Sequence, residues 1–163
     1  MIRLLSKDTI DKIAAGEVIE RPESVVKELL DNAIDSGADK ISVEIRGGGT
    51  ELIRVTDNGC GIEGSEIRTA FLRHATSKLR TAEDLRHIRT MGFRGEALAS
   101  IGAVSKTELI SRTREAISGF RYELAGGEEK GFSEVGAPEG TTVVVRDLFY
   151  NVPARKEFLR SAA

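Results

Sequence analysis

Tryptophan is absent from these 163 residues, and six Phe and two Tyr are the whole aromatic complement. No platform for stacking single-stranded bases is evident. Charge of one sign is lacking too: 24 Lys and Arg stand against 26 Asp and Glu, a net charge of −2. A dedicated nucleic-acid-binding domain is normally strongly basic, so that class is disfavoured, although a local basic patch stays open. The single cysteine, Cys60, excludes an internal disulfide and fits a reducing compartment, the cytoplasm. Long apolar runs are missing. The start, Met1 to Asp8, carries charge on both sides of a very short apolar stretch, which is neither a secretory signal nor a membrane span. Internal repeats, low-complexity tracts and a Pro/Gly-rich linker are also lacking, so one domain is the natural reading at this length. A chain of this size buries roughly 70% of its unfolded surface.

What is present alternates between helical and strand patterns. Asp8–Ala15 reads as a short helix with Gly16 placed to stop it. Pro22–Ser36 is the clearest helix, with Pro22 suited to the first turn and Gly37 beyond the end. Ile41–Arg46 alternates with period two, then Gly47-Gly48-Gly49 precedes Leu52–Thr56, a β-hairpin in outline. A helix follows over Glu63–Leu72. From His74 to Gly95 the pattern is loose, with one short helix suggested near Thr81, and a connection this long is usually functional or mobile. A helix near Glu96–Ile101 leads into strands at Lys106–Ser111, Phe120–Ala125, Gly131–Val135 and Thr141–Leu148. The expected class is α+β, with helices on one face of a mainly antiparallel mixed sheet.

Advancing the Pro22–Ser36 helix by roughly 100° per residue gathers Val25, Val26, Leu29, Leu30, Ala33 and Ile34 on one core-facing arc. Glu28, Asn32 and Asp35 fall within about 60° of one another at its border. A carboxylate and an amide oxygen one turn apart can share a ligand: Glu polarises a water, and Asn offers Mg²⁺ a hard oxygen. The plainer alternative is a solvated helix face.

Asp57-Asn58-Gly59-Cys60-Gly61 follows a strand directly. An Asp held there can accept a hydrogen bond from an exocyclic amine such as that of adenine, and Gly59 and Gly61 permit close approach. Ordinary turn chemistry explains the same residues equally well. Gly59 to Gly64 also satisfies the G-x-G-x-x-G of a dinucleotide-binding loop. Against that rival, no strand ending in Asp or Glu follows at the required distance, and the preceding strand alternates polar and apolar residues.

Gly92-Phe93-Arg94-Gly95-Glu96-Ala97 stands before a predicted helix, where freed backbone N–H groups suit phosphates. Thr76, Ser77 and Lys78 could add hydroxyls and a point charge. A simple glycine-containing loop is the alternative. No Walker loop is present, so a nucleotide site here is of another kind. Thr141 opens a strand and could support Asp57 across a sheet, or stand there for β-propensity alone. His74 and His87 lack partners at metal spacing, which argues against zinc.

Taken in order, these clusters resemble the nucleotide-binding motifs shared by gyrase, heat-shock chaperones, histidine kinases and MutL. The resemblance narrows to the MutL DNA mismatch-repair family on Ile13–Val18, Val26–Asn32, Asp57–Ile62, Arg73–Lys78, Gly92–Leu98 and Asp147–Arg155. It implies a two-layer α/β sandwich of Bergerat type and a slow, Mg²⁺-dependent ATPase. By motif position, Glu28 would be the general base, Asn32 the Mg²⁺ ligand, and Asp57 the reader of the adenine amino group, helped by Thr141. Asn58, Gly59, Gly61 and Ile62 would line the nucleotide. Thr76, Ser77, Lys78 and the run Gly92, Phe93, Arg94, Gly95, Glu96, Ala97, Leu98 would form a lid over the phosphates.

The resemblance further implies a second domain that supplies a Lys to the γ-phosphate, and a dimerising C-terminal region. The expectation is therefore one ATP-binding domain over 1–163 with those parts outside it, monomeric and weak in turnover by itself. Implied partners are ATP, mismatch-recognition and other repair proteins, a second copy in the full protein, and DNA bound weakly and without sequence preference. No membrane partner is implied. Two other functions compete: a nucleotide-dependent binding module without useful hydrolysis, and a DNA-contacting scaffold built on Arg155, Lys156 and Arg160.

Overall fold

The computed structural model describes residues 21–72 and 97–153. The sequence expectations at Asp8–Ala15, near Thr81, and at Arg155, Lys156 and Arg160 lie outside the described residues.

Helix α1 covers Pro22–Asp35, with Pro22 in the first turn, where its missing N–H costs nothing. Strand β1 (Ile41–Arg46) and β2 (Leu52–Asp57) form the expected hairpin, joined through a 3₁₀ turn at Gly47–Gly49. Helix α2 (Gly64–Ala70) and helix α3 (Ala97–Ala103) precede β3 (Lys106–Arg112), β4 (Gly119–Ala125), β5 (Glu128–Val135) and β6 (Gly140–Arg146). The six strands make one sheet in the order β1-β2-β6-β3-β4-β5. Every ladder among the described residues is antiparallel, so the expected mixed sheet is narrowed to an antiparallel one. That finding also removes the dinucleotide-binding rival. Its glycine loop needs a parallel β-α-β unit, and β2 lies between two antiparallel neighbours.

Register explains why the helices take one face. Val43, Val55, Val143, Leu109, Tyr122 and Phe132 stand opposite one another in a single row across all six strands. Side chains alternate along a strand, so this apolar row and its neighbours at every second residue share a face. Helix α1 presents Val25, Leu29 and Ala33 to it, all buried, and every residue of α3 is buried as well. The opposite face carries charged pairs: Glu44 with Arg54 at 2.8 Å, and Glu108 with Arg121 at 3.1 Å. Arg121 and Arg146 beside Glu108 hold its carboxyl below the usual range, the Arg121 bond contributing most. The result is the expected two-layer sandwich.

Three sequence expectations shift, the first being that β5 begins at Glu128, three residues before the expected Gly131. The apolar arc of α1 is narrower than its periodicity suggests, because Ile34 is 62% exposed. It lines an open groove with Ile45 of β1, which is an edge strand of the sheet, no further strand among the described residues pairing beyond it. The last strand stops at Arg146 and does not reach Leu148. Asp147 and Phe149 take positive φ values of 52° and 65°, which no strand continues through. Phe149 then turns wholly inside, and its N–H donates to the Val104 carbonyl at 2.6 Å. The scarce aromatics are spent on the core: Phe71, Phe120, Tyr122 and Phe132 pack in tilted and T-shaped pairs with ring centroids 5.4–5.7 Å apart.

Candidate functional site

One residue pair further along each strand, the inward row changes character. Asp57 of β2 stands opposite Thr141 of β6, and Thr141 opposite Ser111 of β3. Three polar side chains therefore lie abreast across the middle of the sheet, on the face that α1 covers. Between α1 and that row is a slot of about 40 Å³, walled by Leu29, Val55, Leu109 and Val143, with Asn32, Asp57 and Thr141 as polar elements.

Asp57 is held in place before any ligand arrives. Its Oδ1 accepts from the Gly59 N–H at 2.8 Å and from the Thr141 N–H at 3.3 Å. Both bonds fall on one oxygen, which leaves Oδ2 as an acceptor for a ligand. Burial raises the Asp57 pKa above its ordinary 3.8, and the two backbone bonds pull only partly the other way. A carboxyl whose charged form is disfavoured by burial is a candidate functional group.

The glycines around it serve the fold as well as access. A Cβ on Gly59 would collide with the Ser36 side chain, and the Cys60 N–H donates to the Ser36 carbonyl at 3.0 Å. The C-terminal end of α1 is thereby docked on the Asp57 loop, which sets Asn32 facing the slot. Gly61 has φ +74°, and a Cβ there would meet the Arg112 carbonyl. Neither position admits a side chain.

Along α1, Glu28 Oε2 and Asn32 Oδ1 are both buried and without a hydrogen-bond partner among the described residues. Buried polar atoms are almost always paired, so two such oxygens one turn apart call for a ligand. A hard oxygen of this kind suits Mg²⁺, which takes few protein ligands and completes its shell from phosphate and water. The donor set fits the expected ion.

Other sequence-selected residues divide. Ile62 and Leu98 line the slot, and Ala97 is buried at the start of α3. Asn58 turns outward: its Oδ1 accepts from the Asp39 and Lys40 N–H groups, each at 3.0 Å, and its Nδ2 donates to Asp39. It fastens the loop after α1 and does not line the slot. Thr76, Ser77, Lys78, Gly92, Phe93, Arg94, Gly95 and Glu96 lie outside the described residues. Cys60 is exposed, and its thiol is held above its usual 9.0, chiefly by desolvation, so it is no ready nucleophile. Ser36, which lines the slot, and Ser111, hydrogen-bonded to the slot residue Thr141, are residues that the motifs did not select. The alternation of Lys106–Arg112, with Thr107, Leu109 and Ser111 on one side, was the available signal for Ser111.

Residues 19–142 match the family model described as histidine kinase-, DNA gyrase B- and HSP90-like ATPase. The chain belongs to that ATPase family. Within it, the likeness is to MutL proteins. The "DNA mismatch repair protein MutL" of Agathobacter rectalis is 58% identical over 161 residues, 99% of this chain and 25% of that protein. The protein of the same name in Symbiobacterium thermophilum is 57% identical over 162 residues, 99% of this chain and 26% of that protein. The chain thus spans about a quarter of the length of the curated relatives it matches. Among solved structures, the N-terminal domain of a DNA repair protein superposes with TM-score 0.79 at 35% identity, covering 97% of this chain and 46% of that one. The Aquifex aeolicus MutL ATPase domain complexed with ADP gives TM-score 0.67 at 37% identity, covering 86% of this chain and 48% of that one. Membership in this ATPase family agrees with a slot lined by the part-buried Asp57 and by Asn32, whose Oδ1 has no partner among the described residues.

Proposed function

We propose that this chain is the ATP-binding and slowly hydrolysing region of a MutL-type mismatch-repair protein, acting in the cytosol as a nucleotide-driven switch. The observation that carries the reading is the pair of buried, unpartnered oxygens on α1 beside a slot that ends on Asp57. Adenine enters the slot with its amino group on Asp57 Oδ2. The space holds only a few waters, so the purine seats by widening the gap between α1 and the sheet. Asn32 Oδ1 would hold Mg²⁺, which would supply charge neutralisation for the phosphates. Glu28 takes the proton of the attacking water. ATP binding then favours pairing of two copies and contact with repair proteins and DNA, through parts of the protein beyond this domain.

Asp57→Asn tests the adenine contact. Asn keeps the Oδ1 acceptor for Gly59 and Thr141 but presents N–H donors where Oδ2 stood. Binding of ATP is expected to weaken by about 1–3 kcal/mol, while GTP, with an oxygen at the same ring position, loses nothing. The pH dependence follows from the raised pKa. Only the ionised carboxylate is a pure acceptor, so ATP affinity falls as pH drops through the Asp57 pKa, at a pH above 3.8. Stability runs the opposite way. A raised pKa means this group supports folding below its unfolded value and loses that support as pH rises through the folded value. Asp57→Asn is therefore expected to be at least as stable as the parent at neutral pH while binding ATP worse. Nucleotide titrations and thermal melts check both halves, and equal loss for ATP and GTP would refute the contact.

A further inference from the structure

We propose that Ser111, without touching the base, sets selectivity for adenine over guanine by holding the hydrogen of the Thr141 hydroxyl. The inference rests on Asp57 and Thr141 facing the purine edge, as above.

Ser111 is 1% exposed and has three polar neighbours. The Ile62 N–H donates to its Oγ at 2.8 Å, the Gly140 carbonyl lies at 3.0 Å, and the Thr141 hydroxyl lies at 2.7 Å. A serine hydroxyl has one hydrogen and two lone pairs. A backbone N–H can only donate, so Ile62 takes one lone pair. A carbonyl can only accept, so Gly140 takes the hydrogen. One lone pair remains, and the Thr141 O–H must donate into it. This is the only assignment that uses all three contacts.

Thr141 then has no hydrogen left for the slot. Its Oγ1 meets a ligand as an acceptor, beside the second acceptor, Asp57 Oδ2. Two acceptors side by side suit the amino group at the six-position of adenine, which has two hydrogens to give. They repel the six-position oxygen of guanine, which has none. Specificity of this kind comes from the mismatch it imposes on the wrong partner. Freeing the Thr141 hydrogen would let it swing into the slot and meet that oxygen.

The test is competitive binding of ATP and GTP to the full-length protein. Ser111→Ala removes the acceptor for the Thr141 O–H, and the ATP:GTP affinity ratio is expected to fall about three- to tenfold. The same change orphans the Ile62 N–H, which weakens the fold for both nucleotides alike and cancels in the ratio. Thr141→Val deletes the hydroxyl itself. Adding Ser111→Ala to it should leave the ratio where Thr141→Val alone puts it, since the two act through one atom. Should Ser111→Ala not fold, Ser111→Cys fills the same space with a weak acceptor and is expected to move the ratio in the same direction. An unchanged ratio in the single variant, or an equal fall in the Thr141→Val background, overturns the proposal. Asp57→Asn separates the two levels. If it lowers the ratio and Ser111→Ala does not, only the role of Ser111 fails. If Asp57→Asn leaves the ratio unchanged, the adenine contact itself fails, and this inference with it.

Discussion

Glu28→Gln in the full-length protein is expected to cut ATP turnover by about 10²–10⁴-fold, the usual contribution of a positioned general base. Nucleotide binding should be almost untouched, because the proposed reading puts Glu28 at the phosphate end and the adenine contact on Asp57. The substitution is chosen for its shape. Gln keeps the length and the Oε1 acceptor of Glu28, so it can still orient a water, but it cannot take the water's proton. Glu28 Oε2 is already buried and has no partner among the described residues, so the change breaks no bond seen there. Single-turnover measurements at saturating Mg²⁺ and ATP separate chemistry from binding. A variant that hydrolyses at the parental rate removes Glu28 from this role.

The second large effect is structural. Phe149→Ala is expected to lower stability by about 3–5 kcal/mol, out of a total that for a domain is typically about 5–15 kcal/mol. Phe149 is fully buried at φ 65°, and the segment around it ties the two halves of the fold together. The Asp147 and Leu148 N–H groups reach the Glu51 and Thr50 carbonyls beside β2, while Phe149 and Asn151 reach the carbonyls of Val104 and Ala103 at the end of α3. The left-handed backbone supplies an internal control. Gly normally destabilises relative to Ala, but at positive φ it relieves strain. Phe149→Gly should therefore be no less stable than Phe149→Ala in urea denaturation, despite the smaller side chain. The ordinary order, with Ala clearly above Gly, would mean that the positive φ carries no cost.

Much of this architecture was legible before the structure. Hydrophobic period two in Ile41–Arg46, the strand pattern at Lys106–Ser111 and the Pro22 start of α1 are local signals with local causes, and each element stands within a residue of where the pattern put it. Glu28, Asn32 and Asp57 stood out as candidates because carboxylates and amides at the edge of an apolar arc or a strand end are chemically conspicuous. What the sequence hid depends on pairing between distant segments. Ser111 gains its meaning only from the register that sets it opposite Thr141, and nothing in Lys106–Arg112 specifies that register. Asn58 shows the same dependence: it sits inside a run of candidate site residues, yet its side chain is used at Asp39 and Lys40, 19 and 18 residues away. Ile34 fits the helical arc perfectly well, and only the position of β1 at the sheet edge leaves it exposed. The early end of β6 follows from two positive φ values that neither Asp147 nor Phe149 announces by residue type.

The most direct measurement is calorimetric titration of the protein with a non-hydrolysable ATP analogue, with and without Mg²⁺, alongside Asn32→Ala and with NAD as the comparison ligand. If Asp57 reads adenine and Asn32 holds the ion, the analogue binds a single saturable site, more tightly with Mg²⁺ than without. Asn32→Ala then loses most of that Mg²⁺ dependence, and NAD competes poorly. Binding of NAD in preference to the ATP analogue, or analogue binding that Mg²⁺ and Asn32→Ala leave unchanged, would contradict the account.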